Sequence, residues 1–389
     1  MNEICFIGFG RVGQFFLKKI LKKKKNDTVN LNSIIFSKIN IKKKRYLEKK
    51  KKTNNKIFIS ISYKRFLKNS SIVIELVGDT FFSKEAMLFS LINKKKYITA
   101  NKKLIYKKNK LIRKFLYKNI FFESSIGASI PLVYSINNFF RLKRIKKIES
   151  ILNGTTNYVV SKATKKKTTL TKILKKSYEK GFSEKNPISD ISGFDSFNKT
   201  FIIINLFFDV LNFKCEFIGI EKIMCFRKIA SFLKKKIKLI SIIKKKKRVI
   251  YSELCPFLVK KKSSFYNCNG INNIIKFKTF EKEVFSLFGP GAGVETTSSS
   301  IYSDIFRKRG FSIKKNNIFF YLDIIKKNII FNLKKKNLKK ILFFLNKNFF
   351  FKVLIFKKYF YIKSDKCINK KRTFFILNFF KKKTFLKIK

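Results

Sequence analysis

The sequence predicts an α/β protein in which a doubly wound parallel sheet is followed by a mixed α/β domain and a small α+β C-terminal region. Two observations support this fold class. Short apolar runs alternate with helical stretches from the N-terminus to about Pro131, as expected when strand–helix–strand units build a parallel sheet. Beyond Gly310 the glycines end and short strand patterns dominate, which indicates a separate C-terminal region.

The first element is a glycine-rich turn between a strand and a helix. Glu3–Phe9 is apolar enough for a buried parallel strand, and Val12–Leu21 has a helical pattern. Gly8 would permit a tight turn, Gly10 a close approach of the backbone to pyrophosphate, and Gly13 close helix–strand packing. The motif predicts a Rossmann-type dinucleotide domain, and a glycine turn without ligand is the alternative. The candidate cofactor-binding residues in this motif are Gly8, Phe9, Gly10, Arg11, Val12 and Gly13.

The choice between NADP and NAD depends on the next strand, Asn32–Phe36. It ends at Ser37-Lys38 and not at the acidic residue that would bind the ribose hydroxyls of NAD. Lys38 instead favours a 2′-phosphate, so NADP is preferred here, although lysine is abundant throughout the chain.

Polar side chains follow the later strands of the same predicted sheet. Thr99 and Lys102 lie in the sequence TANKK, directly after a strand. Ligands of doubly wound sheets bind at the carboxyl ends of the strands, so both residues are candidate cofactor-site residues. The predicted elements are strands at Ile72–Val77, Tyr97–Thr99 and Phe121–Glu123, and a helix at Phe82–Ile92.

Carboxylates are concentrated in one stretch of a strongly basic chain. The protein has 92 Lys and Arg against 22 Asp and Glu, yet Glu184, Asp190 and Asp195 lie close together in sequence. Asp195 and Lys199 are spaced i,i+4 and would share one face of a helix. Such a set could bind a small zwitterion and transfer a proton. The alternative is an acidic helix start with a surface ion pair.

The formal charge of +70 would ordinarily suggest a nucleic-acid or anionic-membrane partner. The lysine runs are accompanied by abundant Phe, Ile and Asn, which share A/T-rich codons with Lys. We therefore interpret the charge as base bias of the genome, and neither nucleic acid nor membrane is expected as a partner. A basic nucleic-acid-binding protein is the alternative of another class.

Cysteine usage favours a reducing compartment. The six Cys form no C-x-x-C pair and the chain has no His, so a zinc site is not predicted. Scattered thiols are typical of the cytoplasm. No signal-peptide layout is recognised, and apolar runs such as Phe201–Phe208 are too short to span a bilayer. A soluble cytoplasmic protein is expected.

Six blocks, taken together and in order, resemble homoserine dehydrogenase. They read GFGRVG, TANKK, FESSIGASIP, ILNGTTNYV, GFSEKNPISDISGFDSFNK and GPGAG, and they cover about residues 1–310. This family reduces aspartate semialdehyde to homoserine with NAD(P)H, in the route to threonine and methionine. Related amino-acid or semialdehyde dehydrogenases are the alternative within the enzyme class, but the semialdehyde oxidisers need a catalytic Cys motif that is not recognised here. A decayed enzyme kept as a folded partner is a further alternative.

The resemblance implies roles for particular residues. The catalytic group would be Lys102, Lys199 and Asp195, and the substrate-binding group Glu184, Asp190, Gly154 and Thr155. Gly291 would belong to the segment that returns the chain to the cofactor. A monovalent cation, sodium or potassium, would be bound mostly through backbone oxygens of Glu123, Ile126, Ala128 and Ile130. A small-molecule substrate and a homodimer or homotetramer are also implied.

Three departures from the family pattern bear on these roles. Ser129 replaces a glycine, Asn186 stands where an Asp is common, and Ser263-Ser264 replaces His-Pro. None of these positions is catalytic, but each could weaken cation binding or closure.

The predicted domains are a nucleotide-binding domain over residues 1–136, completed by 288–313, a substrate and dimerisation domain over 137–287, and a tail over 314–389. The middle domain is expected to have helices at Asn157–Ala163, Leu170–Lys180 and Phe194–Leu211, and strands at Lys146–Leu152, Arg248–Pro256 and Asn273–Phe277. Lys234–Lys247 is expected to be an exposed basic connector.

The tail resembles a degenerate ACT domain, a small regulatory module. Its expected strands are Ile318–Ile325, Phe350–Phe356, Tyr359–Ile362 and Thr373–Leu377, with a helix at Leu338–Asn346. Lys326-Lys327-Asn328 replaces the usual Pro-Gly turn, so weak or absent inhibition by threonine is expected. A tail that only packs on the body is the alternative.

Overall fold

The computed structural model describes most of the first 307 residues and short parts of the tail. The described residues are 2–21, 29–35, 58–60, 67–78, 80–107, 119–165, 168–184, 186–208, 217–221, 223, 230, 233–246, 249–307, 310, 322–323, 328–332, 351–356, 359–364 and 385–388. No helix within these ranges is both long and apolar enough to cross a bilayer.

The chain divides into two compact units. The first consists of Met1–Lys143, Phe201–Leu211 and Pro290–Asn317, and the second of Arg144–Thr200, Asn212–Gly289 and Ile318–Lys389.

The first unit contains a six-stranded parallel sheet with the order β3-β2-β1-β4-β5-β6. Its strands are β1 (Asn2–Ile7), β2 (Val29–Ile35), β3 (Phe58–Ser60), β4 (Ile72–Glu75), β5 (Lys96–Thr99) and β6 (Ile120–Phe121). Strand order reverses between β1 and β4, and ligands bind at such a switch point. The predicted doubly wound α/β fold is confirmed.

Helices cover this sheet, and apolar side chains fill the space between them. Phe6 of β1 and Phe16 of the first helix are almost fully buried, with ring centroids 5.6 Å apart. Ile301 and Ile305 join the same core, so a helix far along the chain completes the unit. The helices are Arg11–Leu21, Thr80–Ile92, Lys102–Lys107, Glu123–Ile126, Leu132–Asn138 and Val294–Phe306, with a 3-10 turn at Phe140–Leu142.

The second unit is built on a ten-stranded sheet with the order β11-β10-β7-β8-β9-β16-β13-β15-β14, to which β12 adds by pairing with β9. Its strands are β7 (Ile145–Ile151), β8 (Lys236–Lys246), β9 (Val249–Val259), β10 (Asn272–Thr279), β11 (Val284–Pro290), β12 (Leu322–Asp323), β13 (Asn328–Asn332), β14 (Phe351–Phe356), β15 (Tyr359–Ser364) and β16 (Phe385–Ile388). Its helices are Gly154–Lys165, Leu170–Glu179, Ile188–Ile191 and Ser264–Asn267, together with the start of Phe194–Phe208.

The expectation of an exposed connector at Lys234–Lys247 is wrong. Most of this stretch is β8, which pairs with β9 from Lys236 to Lys246. The apolar residues of β8 are buried between neighbouring elements, and burying a side chain such as Ile stabilises the fold by roughly 1.5–3 kcal/mol. Five such residues outweigh the preference of the interspersed lysines for solvent. They are Ile237, Leu239, Ile240, Ile242 and Ile243.

In the tail, strands β14 and β15 lie where strands were predicted. Asn328 begins strand β13, and not a turn. Only Leu322–Asp323 of the predicted strand at 318–325 is described, and it forms β12. The predicted helix at 338–346 and the strand at 373–377 lie outside the described residues.

Candidate active site

The glycine turn after β1 has the geometry of a dinucleotide-binding turn. Gly8 has φ +96°, and a Cβ there would lie 2.8 Å from Val77 Cγ2. A Cβ on Gly13 would lie 2.7 Å from the carbonyl oxygen of Gly8. Gly10 is exposed, with no atom within 4 Å of a Cβ position. The backbone at the start of the helix Arg11–Leu21 therefore faces open space, which fits a pyrophosphate.

The carboxyl ends of β4 and β5 are joined by a buried carboxyl group, that of Glu75. Its Oε2 accepts the Thr99 hydroxyl at 2.6 Å, and its Oε1 accepts the Val77 N–H at 2.6 Å. Burial raises the pKa of Glu75 to about 7, although four hydrogen bonds act in the opposite direction. The half-buried Lys102 begins the helix Lys102–Lys107 just beyond this network.

In the second unit, the predicted pair Asp195 and Lys199 is buried and in contact. Lys199 Nζ lies 3.1 Å from Asp195 Oδ2 and donates to the carbonyl oxygen of Leu152 at 2.7 Å. The two residues are 7% and 5% exposed, so the ion pair is shielded from bulk water. A shielded pair retains more of its electrostatic interaction than a surface pair does.

Asn153 connects this pair to a second carboxylate. Its amide nitrogen donates to Asp190 Oδ1 at 2.7 Å and to Asp195 Oδ2 at 2.8 Å. Its amide oxygen accepts the Thr156 N–H at 2.7 Å. Asn153 thus fixes both carboxylates relative to the start of the helix Gly154–Lys165.

The loop that carries the acidic residues is attached to the same helix start. The Thr155 hydroxyl donates to the carbonyl oxygen of Phe182 at 2.5 Å, and the Thr156 hydroxyl to that of Asp190 at 2.9 Å. Glu184 lies on this loop and is exposed, so its carboxylate is accessible to a ligand.

The predicted cation loop presents buried oxygens, but its carboxylate is already engaged. Glu123 Oε2 lies 2.6 Å from Arg307 and accepts the Tyr134 N–H, while Oε1 accepts the Val133 N–H. Burial raises the pKa of Glu123, and Arg307 opposes that rise. Ala128 has φ 54°, and its carbonyl oxygen accepts the Ser300 hydroxyl. The carbonyl oxygens of Glu123 and Ile130 also accept backbone N–H groups, from Gly127 at 3.2 Å and from Leu132 at 2.7 Å.

The three departures from the family pattern are accommodated locally. The Ser129 hydroxyl donates to the carbonyl oxygen of Pro290 at 2.9 Å. Asn186 Oδ1 accepts the Ile188 N–H at 3.2 Å. Ser263 caps the short helix Ser264–Asn267 by accepting the Phe265 N–H.

The structure groups the predicted residues into two sets. Lys38 lies outside the described residues, and Gly291 is buried. Sequence reasoning missed Glu75, Arg307 and the role of Asn153 as a bridge. The only signal for Glu75 was an acidic residue inside an otherwise apolar strand.

The two sets of predicted residues follow the two units of the chain. The first unit contains Gly8, Phe9, Gly10, Arg11, Val12, Gly13, Thr99 and Lys102, and the second contains Gly154, Thr155, Glu184, Asp190, Asp195 and Lys199.

Comparisons with known proteins agree with these motifs. The family model described as homoserine dehydrogenase matches residues 131–306. The homoserine dehydrogenase of Neisseria gonorrhoeae is 31% identical over 244 residues, which is 61% of this chain and 56% of that protein. The chain thus matches little more than half the length of that relative.

Two further proteins define the similarity. The homoserine dehydrogenase of Methanocaldococcus jannaschii is 32% identical over 232 residues, 57% of this chain and 67% of that protein. The crystal structure of a homoserine dehydrogenase from Thiobacillus denitrificans has the same fold, with a TM-score of 0.82, 18% identity and coverage of 100% of this chain and 98% of that one. On these similarities, the chain belongs to the homoserine dehydrogenase family.

Proposed function

We propose that this protein is a homoserine dehydrogenase, which reduces L-aspartate 4-semialdehyde to L-homoserine with NAD(P)H in threonine and methionine biosynthesis. The observation that carries the proposal is the shielded Asp195–Lys199 pair, fixed by Asn153 beside Asp190. Family membership supports the choice of substrate.

The reduction adds a hydride to the aldehyde carbon and a proton to its oxygen. When bound, the nicotinamide cofactor would supply the hydride. Negative charge develops on the aldehyde oxygen, and a nearby cation or acid stabilises it. Lys199 and Lys102 are the candidates, and Asp195 holds the Lys199 ammonium in place. Glu184 would bind the substrate ammonium, and Asp190, Gly154 and Thr155 would shape the pocket.

The cofactor is proposed to be NADP, with NAD as the alternative. The glycine turn and Gly10 in particular support a pyrophosphate site, and Thr99 and Gly291 would complete it. The preference for NADP rests on Lys38, as does the expected shift towards NADH in Lys38→Glu. The ratio of kcat/KM values for the two cofactors measures this preference, and a strong native preference for NADH would contradict it.

Four further properties are proposed: a bound cation, the compartment, the oligomeric state and the response to threonine. A monovalent cation, sodium or potassium, would bind the carbonyl oxygens of Glu123, Ile126, Ala128 and Ile130. The protein would be a cytoplasmic homodimer or homotetramer. Threonine would inhibit weakly or not at all, because the tail lacks the Pro-Gly turn of a ligand-binding ACT domain. Initial rates over a threonine series test the last point.

The alternative of a semialdehyde-oxidising enzyme needs an accessible nucleophilic Cys. Of the six Cys, the three among the described residues, Cys5, Cys255 and Cys268, are buried, and burial raises the pKa of Cys268 to about 11, which disfavours the reactive thiolate at that position.

The direct test mixes purified protein with aspartate semialdehyde and NADPH or NADH. We expect loss of the reduced-nicotinamide absorbance and formation of homoserine, identified by chromatography. Protein that is folded and binds NADPH but leaves the semialdehyde unchanged would contradict the proposed function. In a parallel assay with phosphate and the oxidised cofactor, NADP⁺ or NAD⁺, oxidation of the semialdehyde with reduction of the cofactor would instead support the alternative enzyme class.

A further inference from the structure

Glu75 is a fully buried carboxyl group in a place where packing alone would favour an apolar side chain. It ends β4 and is 0% exposed. Its partners lie on the segments that follow two adjacent strands: Val77 after β4, and Thr99 at the end of β5. The Tyr97 hydroxyl is also 3.4 Å from Oε2. One carboxyl group therefore links the two loops at the carboxyl end of the sheet.

A chain of hydrogen bonds continues from Glu75 towards Lys102. Thr99 Oγ1 accepts the Asn101 N–H at 2.9 Å. Asn101 Oδ1 then accepts the Leu104 N–H at 3.0 Å, and its amide nitrogen donates to the carbonyl oxygen of Val77 at 3.1 Å. Asn101 is the N-cap of the helix in which Lys102 is the first residue. This cap holds the start of the helix, and with it the backbone of Lys102, against the Val77 loop.

The same network contacts the glycine turn. The Leu76 N–H donates to the carbonyl oxygen of Ile7 at 2.8 Å, and Val77 packs against Gly8. The loop held by Glu75 therefore forms one wall of the proposed dinucleotide crevice. Burying a carboxyl group costs free energy even when hydrogen bonds offset part of that cost, so the presence of Glu75 here calls for a role beyond packing.

We infer that Glu75 is a positioning residue for Lys102, acting through Thr99 and the Asn101 cap. This inference rests on the proposed function, in which Lys102 serves the reaction. A displacement of about 1 Å in a reacting group lowers turnover by up to about 10²-fold. Loss of the Glu75 link would therefore reduce kcat more than it reduces ligand binding.

The experiment compares Glu75→Ala and Glu75→Gln with a control, Ser90→Ala. Ser90 is buried in the helix Thr80–Ile92, where its hydroxyl donates to the carbonyl oxygen of Ala86, and it lies outside the network. We expect Glu75→Ala to lower kcat about tenfold or more and to raise the NADPH dissociation constant by a smaller factor, since the loop that Glu75 holds also borders the crevice. Gln keeps the shape and one acceptor of the protonated acid, so Glu75→Gln should recover most of the rate. Ser90→Ala should keep kcat within about twofold.

A double-mutant cycle separates positioning from general destabilisation. In the Lys102→Ala background, Glu75→Ala should lower kcat by less than about twofold, because the residue through which it acts is gone. Hydrogen exchange at the Leu104 amide provides a readout that does not depend on activity. Exchange should accelerate in Glu75→Ala and remain slow in Glu75→Gln.

The outcomes distinguish this inference from the proposed function. If the wild-type protein does not reduce aspartate semialdehyde, the proposed function fails, and the exchange experiment still reports whether Glu75 holds the cap. If the wild-type protein is active but the loss of kcat in the double variant equals the product of the losses in Glu75→Ala and Lys102→Ala, the positioning role is wrong. Equal rates of Leu104 exchange in all variants would also overturn it.

Discussion

Asp195 and Lys199 form a buried pair of opposite charges, whereas the hydrogen-bond partners described for two other buried residues, Glu75 in the first unit and Lys238 in the second, are neutral groups. Lys238 is 0% exposed, and its Nζ donates to Asn157 Oδ1 at 2.9 Å, to Ser161 Oγ at 3.1 Å and to the carbonyl oxygen of Cys268. Glu75 accepts hydroxyl and amide hydrogens.

The two arrangements differ in how they offset the free-energy cost of removing a charged side chain from water. An opposite charge within contact distance favours the ionised form of each partner, so the Asp195–Lys199 pair can keep both charges while shielded. Neutral donors offset desolvation less completely, and the pKa of Glu75 accordingly rises to about 7. In the proposed function, the paired ammonium of Lys199 is the one that serves the reaction, whereas Glu75 and Lys238 position segments of the chain through neutral hydrogen-bond partners.

The largest expected effect separates the two buried lysines of the second unit. Lys199→Met removes the cation beside the proposed reaction and should lower kcat by about 10²-fold or more. Lys238→Met is the matched control, since it removes a buried ammonium from strand β8, and should leave kcat per folded molecule within about threefold. Steady-state rates with aspartate semialdehyde measure both. Equal losses of kcat in the two variants would contradict the proposed difference between Lys199 and Lys238.

The second effect concerns stability. Lys238→Met leaves the oxygens of Asn157 and Cys268 without the donor they now share, and an unsatisfied buried polar group costs about 1–3 kcal/mol. We expect the free energy of unfolding to fall by about 2 kcal/mol in urea titrations. Replacement of the exposed Lys234 by Met should change it by less than about 0.5 kcal/mol.

These lysines show where sequence reasoning succeeded and where it failed. The sheet of the first unit, the glycine turn and the Asp195–Lys199 pair were predictable, because strand–helix alternation and i,i+4 spacing are local signals. Strand β8 was misread because lysine runs occur throughout the chain, and the apolar residues between them were given too little weight. Glu75 and Asn153 act through partners distant in sequence, which no local pattern reveals.

A third effect tests how the paired charges are held. Asn153→Ala removes both hydrogen bonds to Asp190 and Asp195 and leaves the two carboxylates without their common donor. We expect kcat to fall about tenfold, the size of effect expected when a charge-assisted hydrogen bond is lost. Asn205→Ala removes a buried amide from the same helix as Lys199 but away from the pair, and should keep kcat within about twofold. A larger loss in Asn205→Ala than in Asn153→Ala would contradict the bridging role.

The smallest expected effect is a pH dependence of stability, which arises because the hydrogen-bond partners of Glu75 are neutral. Burial raises the pKa of Glu75 from 4.5 to about 7, so protonation favours the folded state, and the stability that Glu75 contributes is lost as pH rises through this range. Tyr97, the neighbouring titratable group, has a pKa well above 10 because of burial and the nearby carboxylate, and so stays neutral.

Between about pH 6 and about pH 8, the wild-type protein should therefore lose about 1 kcal/mol of unfolding free energy that Glu75→Gln does not lose. Burial also raises the pKa values of Asp304 and Glu123, but these groups titrate in both proteins, so the difference between the two isolates Glu75. Urea unfolding at the two pH values measures it. If the difference in unfolding free energy between the wild-type protein and Glu75→Gln were the same at both pH values, the desolvation of Glu75 would be offset as fully as that of Asp195. The contrast between the two carboxyl groups would then not hold.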